Sequence, residues 1–169
     1  MNDDLSKSLK LWVDADACPI AIKEILFRVA ERRRIETTLV ANQSIAIPRS
    51  DFIRRVTVRD GADIADNAIV EMMRPGDVVI TGDIPLAARV VDKDGFAISP
   101  RGELYDDKSV RDRLATRNLM EQFRSAGIET SGPKPIDQKD IQKFSNQLDR
   151  LLTRLMKRLE RDQPDASRS

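Results

Sequence analysis

Aspartates at three places in the chain have the type and spacing to hold a hard metal ion. Asp14 and Asp16 close the stretch LWVDADACP (11–19), where an apolar run ends abruptly in two acids. Asp63 and Asp66 lie in GADIADNAI (61–69), and Asp83 follows VVITG (78–82). In a strand, residues two apart face the same side, so Asp14 and Asp16 point together if extended geometry persists past Val13. At a helix start, Asp63 and Asp66 share a face, and Asn67 joins them four residues after Asp63. Gathering these acids is costly. Two carboxylates ~4 Å apart repel by about 4 kcal/mol at an effective dielectric of ~20. A typical domain is stable by only roughly 5–15 kcal/mol. Protonation, basic neighbours or a dication must relieve the repulsion. An all-oxygen donor set suits Mg²⁺ or Mn²⁺, ions that activate water and neutralise a transferring phosphoryl group.

Composition narrows the alternatives. The 169 residues contain no histidine and one cysteine, Cys18. Ser-His-Asp and Cys-His catalysis, His-ligated zinc and disulfide frameworks are therefore excluded. Proton transfer near neutrality falls to carboxylates, lysine, tyrosine, the thiol or metal-held water. Cys18 itself reads as a small packed residue at a helix start. Hydrophobic residues make up 40% and charged residues 34%, the balance of a globular protein with a core. No apolar run spans a bilayer, and the start MNDDLSKSLK lacks a secretory apolar core, so the expected location is cytoplasmic. A net charge of +1 leaves room for a local basic patch that meets RNA or another nucleic acid.

Elements must position the acids. Leu9–Val13, Thr37–Ala41, Ile53–Val58, Val78–Thr81 and Phe96–Ser99 read as strands. Helices are expected from Ile20 to the basic run Arg32-Arg33-Arg34, with Ile20, Ile22, Ile25, Leu26, Val29 and Ala30 as the apolar stripe, and over Ala62–Met73 and Pro85–Val91. Continuous apolar strands alternating with helices predict an α/β fold with a parallel sheet covered on both faces. In such sheets, ligands bind beyond the carboxyl ends of the strands, where Asp14, Asp16 and Asp83 fall. Past Pro100 the alternation stops. Arg101–Tyr105 reads as a turn and short edge element, and Val110–Arg124 and Asp137–Arg161 as helices. Leucines on one stripe of the last helix are expected to cover this chain's own core. Residues 1–8 read as a flexible start, 9–161 as one domain and 162–169 as a disordered tail.

Each acid has a plainer reading. Asp16, Asp63 and Asp83 all stand where a helix cap would. Asp14 ends a buried strand and is no obvious cap, so the joint pattern favours a shared crevice. Asn42 and Thr81, at strand exits, are candidates to touch a substrate, the plainer account of Thr81 being a strand-end hydrogen bond. Arg101, Lys108, Arg111 and Arg117 are candidates to hold a phosphate backbone, or to pair with Asp106, Asp107 or Asp112.

With these residues in place, the chain resembles the YaiI/YqxD family of bacterial proteins. VDADACP, DGADIADNAI, VVITGDIPLA, SPRGELYDD and GPKPIDQKDIQKFSNQLDRLL carry the resemblance across nearly the whole ordered chain. The family looks like a branch of the PIN-like superfamily, which includes metal-dependent ribonucleases. That resemblance implies a parallel sheet of order 3-2-1-4-5 flanked by helices, with a C-terminal helical extension. It implies metal-binding acids at Asp14, at Asp63 or Asp66, and at Asp83, with Asp16 as an extra acid of the family's motif. A later acid of many PIN nucleases is missing, since Ser99-Pro100-Arg101-Gly102 supplies no carboxylate. Two-metal catalysis is thereby put in question, and a single ion or a binding fold without catalysis stays open.

Three functions follow from the sequence. The first is a Mg²⁺- or Mn²⁺-dependent nuclease in which Asp14, Asp16 and Asp83 carry the chemistry and Asp14, Asp63, Asp66 and Asp83 supply metal ligands. The second is a non-catalytic nucleic-acid or metal-binding module. The third is a phosphatase with Asp14 as nucleophile, disfavoured because IPLAARVV after Asp83 lacks a second acid.

Overall fold

Apolar runs without polar alternation form the middle of the sheet. The computed structural model describes residues 8–132 and 134–162. Strand β1 (Lys10–Asp14) buries Leu11, Trp12 and Val13 on both faces. It is followed by helix α1 (Ile20–Arg33), β2 (Glu36–Ala41), β3 (Ile53–Thr57), α2 (Ile64–Met72), β4 (Val78–Ile80) and α3 (Ile84–Asp92). Then come β5 (Phe96–Ile98), β6 (Leu104–Tyr105), α4 (Asp107–Ser125) and α5 (Gln138–Asp162). The sheet order is β3-β2-β1-β4-β5-β6. The first five strands are parallel, as expected, and β6 adds an antiparallel edge to β5. No helix among the described residues is long and apolar enough to cross a membrane.

This order has a consequence for ligands. The chain leaves β1 toward β2 on one side and later returns to β4 on the other. The carboxyl ends of β1 and β4 therefore flank a topological switch point, where loops diverge and leave a crevice.

Two layers of apolar side chains cover the sheet. On one face Leu11, Val13, Ile80 and Ile98 meet Ile22 and Leu26 of α1 and Phe144, Leu148 and Leu152 of α5. On the other, Trp12, Val79 and Ala97 meet Ile69 of α2 and Leu86, Ala87 and Val90 of α3. The leucine stripe of α5 thus covers its own sheet, each side chain contributing about 1.5–3 kcal/mol over exposure. Arg33, at the end of α1, ties the two helices together by pairing with Asp149 and Thr153 of α5.

Some local expectations fail for identifiable reasons. Ile20 is 74% exposed. It stands two residues before Ile22, about 200° around the helix, and so falls opposite the stripe. Helix α2 starts at Ile64 and not Ala62, because Asp63 takes a left-handed φ of 64°. Asp16 does not cap α1: its N-cap is Pro19, without a side-chain bond. The expected flexible start over 1–8 and tail over 162–169 lie outside the described residues except for Ser8 and for Asp162, which is the last residue of α5.

The turn after β5 presses closely on α5. Gly102 has φ 85°, and a Cβ there would come within 2.7 Å of the backbone of Lys143 and Phe144 in α5. Only glycine lets the turn press so closely on that helix. Ser99 Oγ accepts the N–H of Arg101 and of Glu103, and Ser99 O accepts Gly102 N–H, which fixes the turn from within.

Candidate functional site

Asp14 is the last residue of β1 and is half-buried at the switch point. Its Oδ2 accepts a hydrogen bond from Thr81 Oγ at 2.9 Å. The same Thr81 hydroxyl accepts the N–H of Asp83 at 3.0 Å. One hydroxyl therefore joins the end of β1 to the turn after β4. Burial raises the Asp14 carboxyl above its ordinary range, the Thr81 bond works against that rise, and the charges of Asp83 and Asp16 add to it. Asp66, in the first turn of α2, is pushed up to about 6, chiefly by burial and then by Asp83, Asp14 and Asp63, with Arg89 opposing. Asp14, Asp66 and Asp83 thus share one electrostatic neighbourhood, though they come from three separate segments.

The remaining predicted acids have partial structural duties. Asp83 is the N-cap of α3 and accepts Leu86 N–H at 2.9 Å through Oδ1. Asp16 is exposed, and its Oδ2 accepts Asn42 N–H at 2.8 Å, which ties the loop after β1 to the end of β2. Asn42 engages the site through its backbone in that bond. Asp63 is exposed in its left-handed conformation and makes no cap bond. Asn67 accepts from Arg89 at 2.8 Å, and this fixes Arg89 as the counter-charge beside Asp66. Cys18 is buried, its thiol pushed up to about 12 mainly by burial, so it is a neutral packed group and no thiolate ligand.

Among the described residues, no three acidic or thiol side chains close into a ready-made cage for a metal ion. Mg²⁺ does not need one, because it keeps several waters and is commonly held by one or two carboxylates. Asp14 gives one oxygen to Thr81, and Asp83 gives one to Leu86 N–H. The second oxygen of each is uncommitted among the described residues. Hard oxygen donors whose charges raise one another fit a largely hydrated dication.

A cleft of about 550 Å³ opens beside the acids. Gly82, between Thr81 and Asp83, and Ala17, next to Asp16, are among the residues that line it. Pro19, Ile84, Pro100, Tyr105 and Ile136 supply apolar wall, Arg101, Arg113 and Arg117 the cations, and Glu103 an acid. Arg101 pairs with Asp140 at 2.7 Å and with the Lys134 carbonyl. Arg113 makes a two-pronged pair with Glu103 at 3.0 and 2.8 Å, and Arg117 meets Glu121 at 3.3 Å.

The candidate substrate contacts therefore divide. Arg101 and Arg117 line the cleft. Lys108 pairs with Asp112 at 3.5 Å and Arg111 donates to the Asp107 carbonyl at 3.2 Å, both away from the cleft. They stand more than ~100° around α4 from the face that carries Arg113 and Arg117. Thr81 is 1% exposed with its hydroxyl committed, so it positions Asp14 and does not reach a ligand. Arg113 was missed by the sequence reading, although it stands four residues before Arg117 and so shares its helix face. Tyr105 and Ile136 gave no signal, because only the packing of β6 and of the loop before α5 brings them to the cleft.

The fold and site define an α/β protein with a mainly parallel sheet and an acidic switch-point crevice. Residues 12–154 match the family described as uncharacterized BCR, YaiI/YqxD family, and the chain belongs to that family. A UPF0178 protein of Shewanella amazonensis is 54% identical over 149 residues, covering 88% of this chain and all of that relative. UPF0178 proteins of Aeromonas hydrophila and Dechloromonas aromatica are each 52% identical, over 146 and 147 residues, covering 86% and 87% of this chain and 97% and 98% of the relatives. No solved structure matches the chain.

Proposed function

We propose that this chain is a PIN-like, Mg²⁺- or Mn²⁺-dependent phosphodiester hydrolase acting on nucleic acid, RNA foremost. One observation carries the reading. Asp14 and Asp66, from separate elements at the switch point, are held protonated more readily than ordinary carboxyls by burial and by neighbouring acids. Such repulsion has a use when a dication sits among the groups. Asp14, Asp66 and Asp83 would hold the ion, which when bound would supply charge neutralisation at the transferring phosphoryl group. Thr81 fixes the orientation of Asp14 and the approach of Asp83. Asp16, held by Asn42 N–H through Oδ2, keeps Oδ1 for orienting the attacking water. The cleft arginines hold the substrate's phosphates.

A second reading, a binding module without catalysis, draws on the turn over 99–102, which carries no acid, and on the absence of a closed three-acid cage among the described residues. Incubation of purified protein with mixed RNA and single-stranded DNA separates the two. Hydrolysis is expected in Mn²⁺ or Mg²⁺, absent in EDTA, and lost in Asp14→Asn and Asp66→Asn. Uncut substrates in both metals overturn the hydrolase, and salt-dependent binding without turnover then selects the module.

A further inference from the structure

We infer that the cleft beside the acids is a nucleobase subsite, which restricts the substrate to unpaired nucleic acid. The inference rests on the hydrolase reading for where the phosphodiester lies and goes beyond it in naming what fills the cleft. Three features point the same way. Gly82 and Ala17, each the chain neighbour of a crevice acid, line the cleft, so a group seated in it lies next to a phosphate held over those acids. Pro19, Ile84, Pro100 and Ile136 give it apolar wall that matches the flat face of a base, while Ser99, Thr116 and Glu103 supply polar groups for the base edge. Arg101, Arg113 and Arg117 also line it, each paired with a carboxylate, and a guanidinium released from its partner suits the phosphate joined to that base.

The charges at the rim are replaceable. Arg117 and Glu121 are both about half exposed and 3.3 Å apart. An exposed pair of this kind is worth only about 0–1 kcal/mol, so an incoming phosphate displaces Glu121 at small cost. Arg113 is held more firmly by two bonds to Glu103 and keeps the wall beside Tyr105 rigid.

A duplex cannot use this cleft. Its bases are stacked inside, and it presents phosphates and groove edges to a protein. The cavity of about 550 Å³ lies in the range that accommodates a small aromatic group and not a helix. An unpaired strand can turn one base into it.

The test is binding in EDTA, read by fluorescence anisotropy, with a labelled oligouridine dodecamer, the same backbone made fully abasic, and a duplex of equal length. Wild-type protein is expected to bind the oligouridine about tenfold more tightly than the abasic strand or the duplex, the usual effect of one well-seated base. Thr116→Trp places an indole in the cleft from an exposed helix position. In that variant the preference for bases is expected to collapse. Arg117→Ala is expected to weaken both single strands alike and to lower the slope of log K on log salt by about 0.7. Equal binding of oligouridine and abasic strand by the wild type overturns the subsite, as does a full base preference in Thr116→Trp. Cleavage is not read here, so loss of the subsite leaves the hydrolase standing. Base preference without any metal-dependent cleavage does the reverse.

Discussion

Asp66→Asn offers the sharpest test of the crowded acids. The Asp66 carboxyl rises from 3.8 to about 6 on folding. At 1.36 kcal/mol per tenfold in proton affinity, that amounts to about 3 kcal/mol before screening. Asp66 is partly exposed, so water and salt leave about 1 kcal/mol. The sign follows from which state binds protons. The folded chain holds the Asp66 proton more tightly than the unfolded chain. Its contribution to stability is present below about pH 4 and is lost as pH rises through about 6. At pH 8 in EDTA, wild type carries the desolvation cost of a partly buried charge, added to by repulsion from Asp83, Asp14 and Asp63, that asparagine lacks. The variant should then melt about 2–4 °C higher, and the gap should close toward pH 4. Thermal denaturation across pH 4–8 measures this directly. Mn²⁺ should reverse the order at pH 8. Wild type gains about 2.7 kcal/mol at a metal concentration ~100 times the dissociation constant, and the variant, short of a ligand, gains less. An Asp66→Asn protein less stable than wild type in EDTA at pH 8 would make Asp66 a structural acid. A difference of the same size at pH 4 and pH 8 would remove charge repulsion from the explanation.

Three further substitutions probe the frame around the acids. Thr81→Val deletes a buried hydroxyl that serves both Asp14 and Asp83 N–H, and it should cost about 1.5–3 kcal/mol in urea denaturation while weakening Mn²⁺ binding by calorimetry. Gly102→Ala adds a Cβ against α5 backbone at a positive φ, and chemical denaturation should show a loss of about 2–4 kcal/mol. Leu152→Ala empties a fully buried position on α5 and should cost about 2–5 kcal/mol in the same assay; a value near zero would detach α5 from the core.

How much of this was legible in the sequence depends on whether one element or two decide a position. Asp14 and Asp83 could be placed because one ends an apolar strand and the other leaves the short turn after one, and parallel strands end on the same side of a sheet. The choice between Asp63 and Asp66 could not be made, because it turns on the sign of one dihedral angle. With Asp63 left-handed, α2 begins at Ile64 and Asp66 becomes the acid in its first turn. Asp77 shows the opposite case. It is a buried carboxyl group that accepts Trp12 Nε1–H at 2.9 Å and Arg74 N–H at 3.0 Å. It stands just before β4, at the amino end of the sheet, so it belongs to the scaffold. The cleft was legible only in part. Arg101 and Arg117 were found as cations near the acids, but Arg113, Tyr105 and Ile136 depend on how β6 and α5 dock.

The turn over 99–102 also bears on how many ions the proposed hydrolysis can use. Its side chains are committed to structure: Ser99 to backbone N–H groups, Arg101 to Asp140 on α5. A carboxylate from this turn would extend the acidic crevice toward β5. The cleft presents Arg101, Arg113 and Glu103 there, with Arg113 bound to Glu103 and Arg101 to Asp140. A second dication on that side would have to displace a guanidinium from its carboxylate. The crevice therefore has uncommitted carboxylate oxygens at the ends of β1 and β4 and paired charges beside β5 and β6. That division favours one ion with a phosphodiester laid across the boundary at Gly82, the one residue of the turn after β4 that lines the cleft. The stoichiometry of Mn²⁺ binding, expected to be one per chain by calorimetry, decides whether the division has been assigned correctly. Two equivalent ions would require Glu103 to leave Arg113 and serve as a ligand.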